Sequence, residues 1–327
     1  MSRRSVTVIA GLLVLIALLS GASLMAGKVW APLSAWTADG ADPRWAIIFQ
    51  LRIPRTILGL LVGAALGLSG AALQGYTRNP LADPGVLGVS AMAAFGAVMT
   101  LYLGLGASAP WVMAAAGMAG AMLGVAALLG LAGTSGGMVT FVLAGVILNT
   151  VASAGVALAL NLAPNAWAAQ EIIDWLMGSL ADRSILDVEI AAAPILVGCG
   201  VLLTLGRALD ALTLGETGAR TLGIDLDRTR VLLAAGVGLA CGAAVAVTGV
   251  VSFVGLIVPH LLRPWVGQRP GALLVPSALG GAALVTAADV LVRLTPSAAE
   301  VKLGVAMAAL GGPFFLVMLI SMRRRLA

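Results

Sequence analysis

Long apolar runs separated by short polar turns make up the pattern of this chain. One run, residues 56–75, contains no charged residue and follows Arg52, Pro54 and Arg55. About 20 apolar residues in a helix are enough to cross the hydrocarbon core of a bilayer. The pattern therefore predicts a membrane-spanning helix with a charged entry and a polar, proline-containing exit at residues 76–84.

Three glycines of this run recur at a fixed spacing. Gly59, Gly63 and Gly67 are four residues apart, so they lie near one another on one face of a helix. Small residues at this spacing let a second helix approach closely in a membrane. We therefore interpret these glycines as packing residues.

Ten membrane-spanning helices are predicted along the chain, one of them short. Their ranges are 5–27, 56–75, 86–106, 110–132, 139–162, 190–206, 231–251, 253–258, 272–292 and 303–322. The run 253–258 is too short to span, and a broken helix is tolerated at membrane depth only where protein covers it or a cavity adjoins it. An even number of spans places both termini on one side. A short amphipathic helix at 170–180 is predicted to lie across the mouth of the bundle.

Composition supports one polytopic, all-α membrane domain over residues 1–327. The chain is 60% hydrophobic and 10% charged, whereas soluble domains have about 25% charged residues. No polar stretch is long enough for a separate extramembrane domain. The net charge of +5 does not indicate nucleic-acid binding, because the basic residues are scattered over short loops and the termini. Cys199 and Cys241 lie inside apolar runs and are interpreted as core residues.

The distribution of basic residues predicts the orientation. Most of the 19 Lys and Arg residues fall in loops on the same side as the two termini. Loops that carry an excess of Lys and Arg are cytoplasmic in membrane proteins. Both termini are therefore predicted to be cytoplasmic.

Residues 207–230 form the most charged segment. Residues 216–222 can form one or two helical turns, which Gly223 can end and after which Asp225 can start the next helix. Two short helices with mixed charge and an apolar side predict a protein-docking element at the membrane surface. An ordinary solvated loop is the alternative.

Several motifs together resemble the iron-chelate, haem and vitamin B12 permeases of ABC importers, the FecCD type. They are RIPRTILGLLVGAALGLSGAALQGYTRNPLADPGVLGVS (52–90), LAGV (143–146), DWLMGSL (174–180), LGETGARTLGI (214–224), VSFVGLIVPHLLR (251–263), SALGGAALVTAADVLVR (277–293) and GGPFFLVML (311–319). The resemblance covers nearly the whole chain. It implies a type II ABC importer permease fold with ten helices per subunit in the bacterial inner membrane. It also implies a second permease copy, two separate ATP-binding cassette subunits and a periplasmic substrate-binding protein.

The resemblance also assigns roles to single residues. The residues expected to couple to the ATPase are Leu214, Gly215, Glu216, Ala219, Arg220, Leu222 and Gly223. Those expected to dock the binding protein are Arg52 and Arg293, and those of the cytoplasmic gate are Asn79, Leu81 and Met138.

Alternatives remain for the arginines and for the single histidine. Arg52 and Arg55 could anchor a helix end in lipid headgroups, and Arg293 could pair with Asp289 one helical turn earlier. For Arg55 the structural role is favoured. His260 belongs to a P-H-x-x-R pattern that is common across substrates of these permeases, so a structural role is favoured over a ligand role.

The predicted function is that of a permease that moves an iron chelate, either a ferric siderophore or haem, from periplasm to cytoplasm. A vitamin B12 or molybdate permease is the alternative, and an ion-coupled secondary transporter is the rival of a different class. The chain has no G-x-x-x-x-G-K-[ST] loop, so ATP and Mg are expected on the partner subunit and no enzyme activity, cofactor or metal site is expected here. Met138 and Lys302 depart from the pattern of the family.

Overall fold

The computed structural model describes residues 3–27, 33–37, 42–105, 110–133, 137–296 and 300–326, and all regular elements in these ranges are helical. The spanning helices are α1 (Arg3–Met25), α3 (Ile53–Thr77), α4 (Val89–Tyr102), α5 (Pro110–Ala132), α6 (Met138–Asn161), α8 (Ile185–Thr204), α11 (Leu226–Thr248), α12 (Val254–Val266), α13 (Pro270–Leu294) and α14 (Leu303–Leu326). The shorter helices are α2 (Pro43–Ala46), α7 (Ala166–Leu176), α9 (Gly206–Leu212) and α10 (Gly215–Thr221), with 3₁₀ turns at Leu33–Thr37 and Pro84–Leu87.

A helix lies at each of the ten predicted spans. Within the described ranges, eight helices are long and apolar enough to cross a membrane, and α4 and α12 are shorter apolar helices. Helix α3 continues α2 through a π-helical turn at Ile47–Arg52. Much of the predicted turn between the fourth and fifth spans, residues 134–136, lies outside the described residues.

Several predicted helix boundaries were wrong. Helix α11 begins at Leu226 rather than 231, and α12 continues through Pro259 to Val266 rather than ending at 258. Local capping explains three further differences. Helix α4 begins at Val89 rather than 86, because a 3₁₀ turn comes first and Gly88 ends it with φ of 74°. Helix α8 begins at Ile185 rather than 190, because Ser184 and Asp187 form a capping box. Helix α7 begins at Ala166 rather than 170, because the Asn165 side chain accepts a hydrogen bond from the Ala168 amide at 2.8 Å.

Helix α3 lies at the centre of the bundle and packs against α13, α8, α11 and α12. Its glycines have the packing role that the sequence predicted, although to different degrees. A methyl group on Gly63 would collide with the Gly281 carbonyl of α13, and one on Gly67 with the Ser277 carbonyl. A methyl group on Gly59 would lie 3.5 Å from Thr286, which is ordinary contact. The two backbones therefore approach most closely at Gly63 and Gly67.

The connection between α11 and α12 is an extended segment that protein covers on two sides. The Ser179 amide after α7 donates to the Thr248 carbonyl at 2.7 Å, and the Gly304 amide of α14 donates to the Gly178 carbonyl at 3.2 Å. Gly249 has φ of 71°, and a methyl group there would collide with the Trp175 carbonyl. Close packing of α7 and α14 therefore surrounds a broken helix, as backbone at membrane depth requires.

The close approach of α3 and α13 predicts a stability difference between two glycine substitutions. Gly63→Ala should destabilise the protein by about 1–3 kcal/mol, because the new methyl group forces α13 away. Gly21→Ala on α1 is the matched control, since no other group lies within 4 Å of the added methyl group. Thermal unfolding of the detergent-solubilised protein should show a lower midpoint for Gly63→Ala only. Equal midpoints for the two variants would contradict the close approach.

Candidate functional site

A cavity of about 440 Å³ adjoins the break between α11 and α12. Its walls include small and apolar residues of α4 and α6. Its polar lining comes from Asp83, Ser90, Asn149, Ser153 and Ser252. The break itself contributes to the cavity, because Val250 and Ser252 belong to the extended segment. The cavity can therefore offer hydrogen bonds as well as apolar surface.

Helix α6 presents part of this polar lining on an open face. Asn149 and Ser153 are one helical turn apart, and both are exposed. An exposed amide in hydrocarbon would lose its hydrogen bonds to water, which is costly. This face of α6 therefore suits a water-filled path or a protein neighbour better than lipid.

The turn that follows α3 has the geometry of two successive Asx turns. Arg78 has φ of 51°, and the Asn79 side chain accepts a hydrogen bond from the Leu81 amide at 3.0 Å. The Asp83 side chain accepts one from the Gly85 amide at 2.9 Å and so caps the 3₁₀ turn. Asn79 and Leu81, the predicted gate residues, thus lie in a loop that is ordered by its own side chains.

A glutamine of α3 compensates for a proline inside α12. Because Pro259 has no amide hydrogen, the carbonyl of Gly255 lacks its helical donor. The Gln74 side-chain amide donates to that carbonyl at 3.1 Å, and Arg263 donates to the Gln74 side-chain oxygen at 2.9 Å. Pro259 and Arg263 of the P-H-x-x-R pattern therefore act together with α3. His260 packs edge-to-face against the Phe314 ring, with ring centres 5.8 Å apart.

The segment 207–230 forms two short helices, as the sequence predicted. Helix α10 ends at Thr221, Gly223 follows with φ of 79°, and the Asp225 side chain caps α11 by accepting from the Arg228 amide at 2.9 Å. Leu214 and Leu222 are 68% and 61% exposed, whereas Ala219 is buried. Exposed leucines on a charged surface segment are typical of a protein contact.

This segment contacts the residues on both sides of the predicted gate. The Met138 amide, at the first residue of α6, donates to the Glu216 carboxylate at 3.2 Å. On the other side, a methyl group built on Gly215 would lie 3.7 Å from Nη1 of Arg78. Helix α10 therefore adjoins the start of α6 and the turn after α3 at the same time.

At the opposite end of α3 lies an arginine cluster, consisting of Arg52, Arg55, Asp289, Arg293 and Glu300. The Arg55 guanidinium donates to the Asp289 carboxylate at 2.8 Å and also to Glu300. Arg293 pairs with the same Asp289 carboxylate at 3.0 Å. One nearly buried carboxylate thus serves two guanidinium groups, one on α3 and one on α13.

Two of these arginines also cap the end of α1. The Arg52 guanidinium donates to the carbonyls of Leu24 and Met25 at 2.9 and 2.7 Å. Arg293 donates to the Ser23 carbonyl at 2.9 Å and to its hydroxyl at 2.6 Å. The two arginines are only 7% and 6% exposed. They supply donors to carbonyls that have no partner within α1.

Comparison with known proteins identifies the family. A model of the FecCD transport family matches residues 9–321. The chain belongs to the FecCD transport family.

Relatives of this FecCD chain match it over nearly its whole length. The vitamin B12 import system permease protein BtuC of Klebsiella pneumoniae subsp. pneumoniae is 37% identical over 326 residues, which cover 99% of this chain and 96% of the relative. The hemin transport system permease protein HmuU of Yersinia pestis is 34% identical over 321 residues, which cover 96% and 95%.

A solved structure supports the fold of this FecCD chain. It is described as an inward-facing conformation of a metal-chelate type ABC transporter, and it superposes with a TM-score of 0.85 at 30% identity. The superposition covers 97% of this chain and 99% of that chain. The chain therefore has the type II importer permease fold.

For the FecCD chain, sequence reasoning found the arginines of the cluster but only some of their contacts. Arg55 has a structural role, but as an ion-pair partner of Asp289 rather than as an anchor in lipid headgroups, and the ion pair of Arg293 with Asp289 is present. Glu300 and the contacts with α1 were missed, because they join segments far apart in sequence. The docking role of Arg52 and Arg293, the gate role of Asn79, Leu81 and Met138 and the coupling role of α10 stay predictions.

The shared carboxylate predicts a large effect for a small change. Asp289→Asn should destabilise the FecCD chain by about 3 kcal/mol, because two nearly buried guanidinium groups lose their common counter-ion. Thermal unfolding in detergent measures the change. A midpoint equal to that of the parent would show that Asp289 is not required by either arginine.

Asp42→Asn is the control. Asp42 pairs with Arg44 at the surface, and hydrogen bonds from Arg44 hold the pKa of the Asp42 carboxyl below its usual value. The Arg44 side chain is 53% exposed. Exposed ion pairs contribute little to stability, so this variant should unfold at the parent's midpoint.

Proposed function

We propose that this chain is the permease subunit of an ATP-driven importer that carries a corrinoid of the vitamin B12 class into the cytoplasm. The observation that carries the transport role is the contact of α10 with the start of α6 and with the turn after α3, both beside a membrane-embedded cavity. Helix α10 has exposed leucines at its two ends and touches both gate segments. It is therefore suited to transmit a movement of a cytoplasmic partner to the start of α6 and to the turn after α3.

The corrinoid assignment rests on the relatives. The sequence alone ranked iron chelates first and vitamin B12 second, and the 37% identity to the vitamin B12 permease of Klebsiella pneumoniae supports the reverse order. Haem is the second candidate, because the hemin permease of Yersinia pestis is 34% identical over a similar length.

Further chains complete the proposed importer. The open polar face of α6 supports a second copy around a central path, because Asn149 and Ser153 are then kept from lipid. Two ATP-binding cassette subunits would bind at α9 and α10, and ATP and Mg belong to them. A periplasmic binding protein would dock at the opposite end, on the surface around the arginine cluster that contains Arg52 and Arg293. The inner membrane is the proposed location, with both termini in the cytoplasm because Lys and Arg predominate on that side.

Uptake into proteoliposomes tests the proposal. The chain is reconstituted with its ATPase and binding protein, and accumulation of labelled cyanocobalamin, haemin and a ferric siderophore is compared. We expect ATP-dependent accumulation of cyanocobalamin that an ionophore does not affect. Accumulation of haemin alone would transfer the assignment to the second candidate. Uptake that needs no ATP and collapses with the ionophore would overturn the importer in favour of an ion-coupled carrier.

Substitution of Glu216 tests the coupling contact. Glu216→Ala removes the acceptor for the Met138 amide, and a hydrogen bond to a charged group contributes about 1.5–3 kcal/mol. We therefore expect transport to fall about tenfold or more while the complex still hydrolyses ATP. Glu216→Gln keeps an acceptor oxygen and should retain most of the transport.

Arg228→Ala, an exposed residue of the same segment, is the control for Glu216 and should transport like the parent. Equal loss in Glu216→Ala and Glu216→Gln would indicate that the charge meets the ATPase directly. Unchanged transport in both would contradict the coupling role.

A further inference from the structure

A crevice lies between the first turns of α1 and the hairpin of α12 and α13. One part has a volume of about 590 Å³ and is lined by Arg4, Val8 and Trp265, among others. A second part of about 300 Å³ is lined by Ile9 and Arg269, among others. Within residues 4–9 of α1, some residues line the first part and their neighbours line the second. The same holds for residues 264–267, whose first two line the first part and whose last two line the second. The two parts share no lining residue but lie against neighbouring residues of the same helices, and together they are here called the α1 crevice.

The mouth of the α1 crevice is cationic. Arg4 and Arg269 are in its lining, and no Asp or Glu is among the lining residues that the structure describes. The Arg269 side chain is 81% exposed and donates to Asp210 at 2.7 Å. Asp210 also accepts from the Gly271 amide at 2.8 Å, so this carboxylate is shared. Because a guanidinium has five N–H donors, Arg269 keeps donors for a further anion.

Deeper in the α1 crevice the walls are apolar. Val8 of α1 lines the first part, and Ile9 of α1 lines the second part together with Val266 at the end of α12 and Val275 of α13. Trp265 is 68% exposed and lies in the same lining as Arg4. Tryptophan is enriched where a membrane protein crosses from headgroups to acyl chains. The crevice thus runs from a cationic mouth at a helix end into apolar surface.

The crevice lies on the side of the bundle that lipid reaches. Large apolar residues of α1 are exposed along its length, namely Val6, Leu13, Val14, Leu15 and Leu18. Such a helix face is stable only in contact with hydrocarbon or another apolar surface. An occupant that arrives from the bilayer has direct access to the crevice.

We propose that the α1 crevice binds an anionic phospholipid from the leaflet on the side of the α1 N-terminus. The phosphate and its headgroup lie between Arg4 and Arg269, and an acyl chain lies along Val8, Ile9 and Val275. Basic pockets at helix ends bind anionic headgroups in other membrane proteins through the same attraction. The site is separate from the transport cavity and does not depend on which cargo is carried.

Fluorescence of Trp265 reports on the occupant of the crevice. Because the chain has seven tryptophans, the signal of Trp265 is obtained as the difference between the parent and Trp265→Phe. The full-length protein is placed in nanodiscs of phosphatidylcholine that contain increasing amounts of brominated phosphatidylglycerol or brominated phosphatidylcholine. We expect half of the quenching of the Trp265 signal to occur at a lower fraction of brominated phosphatidylglycerol than of brominated phosphatidylcholine. Each arginine should lower that fraction about fivefold.

A double variant and a control complete the experiment. Arg4→Gln combined with Arg269→Gln should bring the two lipids to equal quenching, whereas Arg228→Gln, outside the crevice, should keep the preference of the parent. Equal quenching by the two lipids in the parent would overturn the proposal without need of any variant. A preference that persists in the double variant would overturn it as well.

Discussion

The lack of water inside the bilayer determines how this chain is arranged around the break between α11 and α12. Gly249 and Phe253 have positive φ, so the backbone leaves the helix there and its polar groups lose their helical partners. Protein replaces them: the Ser179 amide bonds to the Thr248 carbonyl, and Gln74 bonds to the Gly255 carbonyl that Pro259 leaves without a donor. The short helix α12 can exist at membrane depth because α3, α13 and α14 pack around it.

The same break gives the cavity part of its polar character. A continuous helix would present only side chains to the cavity, because its backbone groups are bonded to one another. The extended segment instead brings Val250 and Ser252 themselves into the cavity lining. The positions of α7 and α14 are fixed by glycines, because methyl groups on Gly178 and Gly304 would both collide with the Val250 carbonyl. Support of the broken backbone and formation of the cavity thus depend on one set of close contacts.

The apolar helices and the two short helices of residues 207–230 could be predicted from the sequence because their signals are local. Apolar runs, Gly223 after α10 and Asp225 before α11 lie within a few residues of the structure that they determine. The remaining contacts join distant segments. Arg55 meets Asp289 across 234 positions, and Met138 meets Glu216 across 78. The pair of Asp289 with Arg293 was foreseen as an alternative because the two residues are one turn apart on the same helix, but nothing local indicates that Arg55 shares the carboxylate or that Arg52 caps α1.

The contacts of α10 limit how the cytoplasmic end of the bundle can move. Glu216 is bonded to the first amide of α6, and Gly215 adjoins Arg78 at the end of α3, so a displacement of α10 acts on both helices at once. Both helices continue to residues beside the cavity, with Asn149 and Ser153 on α6 and Asp83 just after α3. At its far end α3 is held by Arg55 to α13 and by Arg52 to α1. In the proposed importer, a movement of α10 would therefore act first on the ends of α3 and α6 that lie beside the cavity, because Arg55 and Arg52 hold the opposite end of α3 to α13 and α1.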